Sequence, residues 1–206
     1  MQRANGESRL TKLLFFSGSS QIASVDWKLA SAAANFTKRM FDDDLAVSII
    51  DLAEFELPNY SPMHGDADEM PAGVVMLRDT IASSDGIFVS SDEYTGAYSA
   101  ALKNAIRWLT HNASDKEALF DGLPVALCGA SLRGAGGLRG QPALGQMFTE
   151  QGAIVISQHL ELGTSAGLFD PGGRLLSKVE KQLVDGALGK LFVAATTKKR
   201  ASLVMN

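Results

Sequence analysis

The chain has 206 residues, 46% of them hydrophobic and 20% charged, with 19 Lys and Arg against 23 Asp and Glu for a net charge of −4. A chain of this size buries a sizeable core unaided, is too apolar to stay disordered, and lacks the basic excess of a dedicated nucleic-acid binder. A single cysteine, Cys128, excludes an internal disulfide and a cysteine-based metal cluster.

In chain order, Lys12–Ser17 is a short apolar run that predicts a first strand, and 25–41 predicts a helix with apolar residues at Leu29, Ala33, Phe36, Met40 and Phe41. Asp42 to Asp44 reads as a turn and Ala46–Asp51 as a second strand. A loop with two prolines and a glycine runs from Glu54 to Gly65. A helix near 71–84, a strand over Gly86–Ser91, a helix near 98–111 and a strand over Leu123–Gly129 follow. A Gly-rich loop leads to a helix near 139–152, a fifth strand over Ala153–Ser157 and a last helix near 173–195. The expectation is one domain over 11–195, with 1–10 and 196–206 as terminal extensions.

Apolar strands alternating with helices imply βαβ units and a parallel sheet covered on both faces. The expected fold class is α/β: a flavodoxin-like three-layer sandwich with a five-stranded parallel sheet and helices on both faces. No run approaches the roughly 18 apolar residues of a membrane span. The start of the chain lacks the apolar centre of a signal peptide. The expected setting is cytoplasmic, with no membrane and no nucleic-acid partner.

In such sheets ligands bind beyond the carboxyl ends of the strands, where strand order reverses. Three unusual loops leave strands there. After the first strand, Ser17 to Asp26 offers small hydroxyl residues, a glycine and a helix start, which suit an anion. The alternative is an ordinary turn in which Ser24 or Asp26 caps the helix. After the third strand, Tyr94 and Tyr98 flank Gly96, either to hold a flat ring or to cover the sheet. After the fourth strand, Gly129 to Gln141 contains five glycines in thirteen residues, with Arg133 and Arg139 beside them. That loop is built for close backbone approach, or it is a flexible segment with solvated arginines.

The residues of these loops resemble one family. Gly18-Ser-Ser-Gln-Ile-Ala-Ser-Val-Asp-Trp-Lys-Leu-Ala30 is similar to the Gly-Ser-x-Arg-x-x-Ser-x-Asn-x-x-Leu loop of the NADPH-dependent FMN reductases. Asp92-Glu-Tyr-Thr-Gly-Ala-Tyr-Ser-Ala-Ala-Leu-Lys-Asn-Ala-Ile-Arg-Trp108 resembles their Pro-Glu-Tyr-Asn-Gly segment, which continues into Leu-Lys-Asn-Ala and Trp. Gly136-Gly-Leu-Arg-Gly-Gln141 and Asp51-Leu-Ala-Glu-Phe-Glu-Leu-Pro58 also resemble family segments, and the likeness covers roughly residues 11–193. The family's Arg is Gln21 here and its Asn is Asp26. In the second loop Asp92 replaces Pro and Thr95 replaces Asn.

The resemblance implies an NAD(P)H-dependent flavin oxidoreductase that passes hydride from a nicotinamide to bound FMN, then to a quinone or similar small acceptor. It implies FMN as cofactor, NADPH or NADH as co-substrate, and a homodimer or homotetramer. By matching position, Ser19, Ser20, Gln21, Ser24 and Asp26 would hold the FMN phosphate. Asp92, Glu93, Tyr94, Thr95 and Gly96 would flank the isoalloxazine, and Ser131 and Gly134 would close the ring's other edge. No catalytic side chain and no metal are implied. Two rivals share the scaffold: a one-electron flavodoxin carrier, and a binding or regulatory protein whose altered Gln21 and Asp26 have weakened or abolished FMN binding.

Overall fold

The structure is a computed structural model, and it describes residues 10–41, 45–62, 70–91, 93–94, 96–110, 119–131, 139–164 and 167–205. Strands β1 (Thr11–Ser17), β2 (Leu45–Asp51), β3 (Gly86–Ser90), β6 (Pro124–Ser131) and β7 (Ile154–Thr164) form one sheet in the order β2-β1-β3-β6-β7. Each neighbouring pair in it is parallel. Two-residue strands β4 (Glu93–Tyr94) and β5 (Ala97–Tyr98) pair antiparallel as a separate hairpin, in the segment expected to be a loop. The helices are α1 (Val25–Met40), α2 (Ala72–Ala82), α3 (Ala100–Leu109), α4 (Gly140–Glu150) and α5 (Lys178–Met205).

The sheet is apolar on both faces because successive side chains of a strand point to opposite sides. Leu14, Phe16, Ile87, Val89, Val125 and Leu127 pack with α2, α3 and α4. Their sequence neighbours Leu13, Phe15, Phe88, Ala126 and Cys128 pack with α1 and α5 on the other side. Hence the strands read as continuous apolar runs rather than as alternating ones. These observations establish the flavodoxin-like sandwich expected from the sequence.

Local chemistry starts the helices that flank the site. Ser24 caps α1 by accepting from the Trp27 N–H at 3.0 Å, and Ser99 caps α3 by accepting from the Leu102 N–H at 3.0 Å. From these caps α1 turns Leu29, Ala30, Ala33, Ala34 and Thr37 inward, a stripe at helical spacing.

Two ends differ from expectation. Strand β7 runs on past Ser157 to Thr164, because an edge strand can alternate polar and apolar residues where a central one cannot, as in Gln158 to Leu162. Helix α5 begins at Lys178 and continues through the basic segment to Met205, beyond the 173–195 expected for the last helix. Side-chain anchors hold its later turns: Thr196 Oγ1 and Thr11 Oγ1 share a hydrogen bond of 3.1 Å, and Lys199 Nζ meets the Asp85 carboxylate at 3.2 Å.

Candidate functional site

Since the strands of the main sheet are parallel, Ser17, Asp51, Ser90, Ser131 and Thr164 end on one edge. From β1 the chain crosses to β2 on one side, and the rest of the sheet grows from β3 on the other. The order reverses between β1 and β3, whose exits open the crevice such sheets use for ligands.

Buried polar residues gather at this edge. Ser17, Ser19, Asp26, Ser90, Ser91, Ser99 and Gln141 are all buried. A polar group in the interior costs free energy unless it is hydrogen-bonded, so such a cluster is maintained by specific partners. The Gly18 N–H donates to the Ser90 carbonyl at 2.8 Å, and the Ser91 N–H to the Cys128 carbonyl at 3.0 Å. Ser99 Oγ donates to the Gly18 carbonyl, and Gln141 Nε2 to the Ser91 carbonyl at 3.1 Å. Three strand exits and two helix starts are thereby joined. Gly18 fits a tight approach: a Cβ there would lie 3.0 Å from Leu102 Cδ2 and 3.2 Å from the Ser90 carbonyl oxygen.

The loop after β1 is the first part of the site. Ser20 and Gln21 are exposed, Ser24 is half-buried, and Ser19 Oγ accepts from the Gln21 N–H at 3.1 Å. Ala23 has φ of 56°, the one positive φ outside glycine among the described residues. That conformation is costly for an L-residue and is commonest where a loop is shaped around a function. Ser24 does the capping. Asp26 turns inward: it is 1% exposed and accepts from Ser90 Oγ at 3.1 Å.

The hairpin after β3 is the second part. Glu93 reaches across to the start of α4, where Oε2 accepts from the Arg139 N–H at 2.9 Å and from the Gly140 N–H at 3.4 Å. Oε1 pairs with the Arg139 guanidinium, with Nε at 2.9 Å and Nη2 at 2.6 Å. Arg139 itself provides no side-chain cap for α4, so the cap comes from 46 residues away. The Arg139 backbone N–H, ahead of the guanidinium and the Gly140 N–H, holds the Glu93 carboxyl below its ordinary value against the opposing effect of burial. Gly140 permits the approach, since a Cβ there would sit 3.2 Å from the Ala97 carbonyl carbon. Gly96 turns the hairpin with φ of +83°. Tyr94 lies on β4 in register with Ala97.

Ser131 is the last residue of β6, in register with Thr164 of β7, and so reaches the same edge. Asp92, Thr95 and Gly134 lie outside the described residues. The structure therefore brings Ser19, Ser20, Gln21, Ser24 and Asp26 together at the β1 exit, with Glu93 and Gly96 on the neighbouring hairpin. Sequence reasoning missed Ser90, Ser91, Ser99 and Gln141 as the polar floor and Arg139 as the partner of Glu93. The available signal was a polar residue ending each apolar strand.

The residues suit a flavin phosphate ester. Two buried polar atoms, Ser17 Oγ and Gln141 Oε1, have no hydrogen-bond partner among the described residues. The exposed loop adds serine hydroxyls, the Gln21 amide and backbone N–H groups at the positive end of α1. A cavity of about 400 Å³ between α1, α5 and residues 170–176 includes none of these strand-exit residues. Gly163-Thr-Ser-Ala-Gly167 has the spacing of a hydrolase nucleophile elbow, but α5 starts only at Lys178, and such an elbow turns straight into a helix.

Comparison with known proteins supports the same assignment. The family model described as NADPH-dependent FMN reductase matches residues 11–166. The chain is 29% identical over 146 residues to the NADH:(hydroxy)cinnamate reductase subunit CrdA of Vibrio ruber, covering 69% of this chain and 68% of that one. It is 30% identical over 103 residues to the quinone reductase of Escherichia coli, covering 50% of this chain and 53% of the other. The chain therefore spans about half the length of that quinone reductase. Among solved structures, the flavoenzyme NAD(P)H:(acceptor) oxidoreductase FerB of Paracoccus denitrificans superposes with a TM-score of 0.72 at 21% identity, over 93% of this chain and 98% of FerB. With three-quarters of its length matched by that family model, the chain belongs to the NADPH-dependent FMN reductase family and is an NAD(P)H-dependent FMN oxidoreductase.

Proposed function

We propose that the protein oxidises a reduced nicotinamide and delivers the electrons to a quinone or a similar small acceptor, with FMN lying across the exits of β1, β3 and β6. The observation that carries this reading is the joined polar edge: loops from separate strands are locked together by Glu93, Ser99 and Gln141 at the sheet's switch point. The quinone reductase and cinnamate reductase to which the chain is similar support an acceptor of that size and polarity.

Bound FMN supplies the electron transfer between nicotinamide and acceptor. The chain's own residues bind and orient. Ser19, Ser20, Gln21 and Ser24 would hold the phosphate by hydrogen bonds, aided by the α1 dipole. Backbone groups of the β4–β5 hairpin would flank the ring, and the β6 exit at Ser131 would close its other edge. Glu93 keeps the hairpin and the α4 start at a fixed separation. A cytoplasmic homodimer or homotetramer is the setting this reading carries.

Initial rates with NADPH and a quinone test it. Nicotinamide and acceptor share one flavin face on this reading, so double-reciprocal plots at several quinone concentrations are expected to be parallel. Intersecting lines would contradict the shared face. Turnover that requires an added partner protein would favour the one-electron carrier instead.

A further inference from the structure

Residues 18–27 run from the β1 exit into the first turn of α1 and contain no Lys, Arg or His. Every donor they offer a phosphate is neutral. The one charged side chain in that run is Asp26, the second residue of α1, and it is buried with Ser90 Oγ on its carboxylate. Lys28, the next charged residue, is exposed on the helix.

A carboxylate in the first turn of a helix draws on the same positive dipole end that an incoming phosphate uses. Because Asp26 is buried, solvent and salt screen its field less than they would at the surface. The burial is also structural. The Ser90 hydroxyl ties the carboxylate to the β3 exit, so Asp26 cannot swing out to solvent without leaving a buried hydroxyl unpaired.

We propose that Asp26 determines flavin specificity: its buried carboxylate opposes the phosphate of FMN, so the site takes the unphosphorylated flavin, riboflavin, nearly as well as FMN. The inference rests on the flavin reading above and adds which end of the flavin is selected. The isoalloxazine and ribityl chain carry the affinity, and the phosphate adds little.

The test is a titration of the full chain, freed of flavin, with FMN and with riboflavin, followed by flavin fluorescence. Wild type is expected to bind the two within about tenfold of each other. Asp26→Asn, whose side-chain oxygen still accepts from Ser90, is expected to raise FMN affinity by about tenfold or more, with riboflavin affinity unchanged. The wild-type ratio needs no variant, so it stands even if Asp26→Asn fails to fold. A wild-type preference for FMN of about a hundredfold or more would overturn the proposal while leaving the flavin reading intact. So would an Asp26→Asn protein with an unchanged ratio, or a preference that disappears in Arg133→Ala, which would give the selection to the Gly-rich loop. Binding of neither flavin would overturn the flavin reading and this proposal with it.

Discussion

At the residue scale, Glu93 is the side chain on which the site's geometry turns. Its side chain is 5% exposed, and both of its oxygens meet the α4 start. A hydrogen bond involving a charged group contributes about 1.5–3 kcal/mol, and a helix cap about 0.5–2 kcal/mol. The native carboxyl lies below its ordinary value of 4.5. A group with a depressed native pKa gives stability that is complete above the unfolded pKa and is lost as pH falls through the native one. Glu93→Gln is therefore expected to lower stability by about 1–3 kcal/mol at neutral pH and to flatten the loss of stability below pH 4.5. Urea unfolding at a series of pH values measures both. A variant as stable as wild type, with the same acid limb, would show that the clamp contributes nothing. Cys128 is the opposite case: wholly buried, with burial first and the nearby Asp26 second pushing its thiol well up, it is core filling.

At the element scale, the most family-like run, Leu102-Lys-Asn-Ala-Ile-Arg-Trp108, proves to be a staple. Asn104 accepts from the Tyr60 N–H at 2.8 Å and donates to the Pro58 carbonyl at 3.0 Å, and Trp108 Nε1 donates to the same carbonyl at 2.7 Å. Tyr60 packs edge-on against Trp108 at 5.2 Å between ring centroids and under the Arg107 guanidinium at 4.6 Å. The segment after β2 is thus held on α3 by side chains 44–50 residues away. Asn104→Ala removes two hydrogen bonds, so a loss of about 2 kcal/mol and faster proteolytic cleavage within 55–61 are expected. Cleavage at the wild-type rate would mean that Trp108 and Tyr60 hold the segment alone. That Asn104 serves the β2 loop was not legible in the sequence, because a polar residue on a helix does not announce its partner. The ends of β7 and α5 were illegible for a related reason: an edge strand's polar alternation and a basic helix terminus look like loop and tail until their partners are placed.

At the scale of the whole molecule, the alternation of apolar strands and helices was enough to specify the sheet and its two helix layers, since a parallel sheet must bury both faces. Topology then brought three loops to one edge without any knowledge of their side chains. What the sequence alone left open was direction. Ser24 and Asp26 were both candidates for the α1 cap, and Ser90, 64 residues from Asp26, meets the carboxylate in the interior. The same holds for Glu93, whose motif position suggested the ring while its side chain serves α4. Long-range hydrogen bonds of this kind depend on packing that no local pattern records.

The central claim is that the joined edge holds one flavin. Titrating the purified chain with FMN and following quenching of flavin fluorescence tests it most directly. The account predicts saturation at one FMN per chain, with the bound flavin reduced on addition of NADPH. A folded protein that shows no saturable quenching would contradict it and would leave a binding protein on the same scaffold.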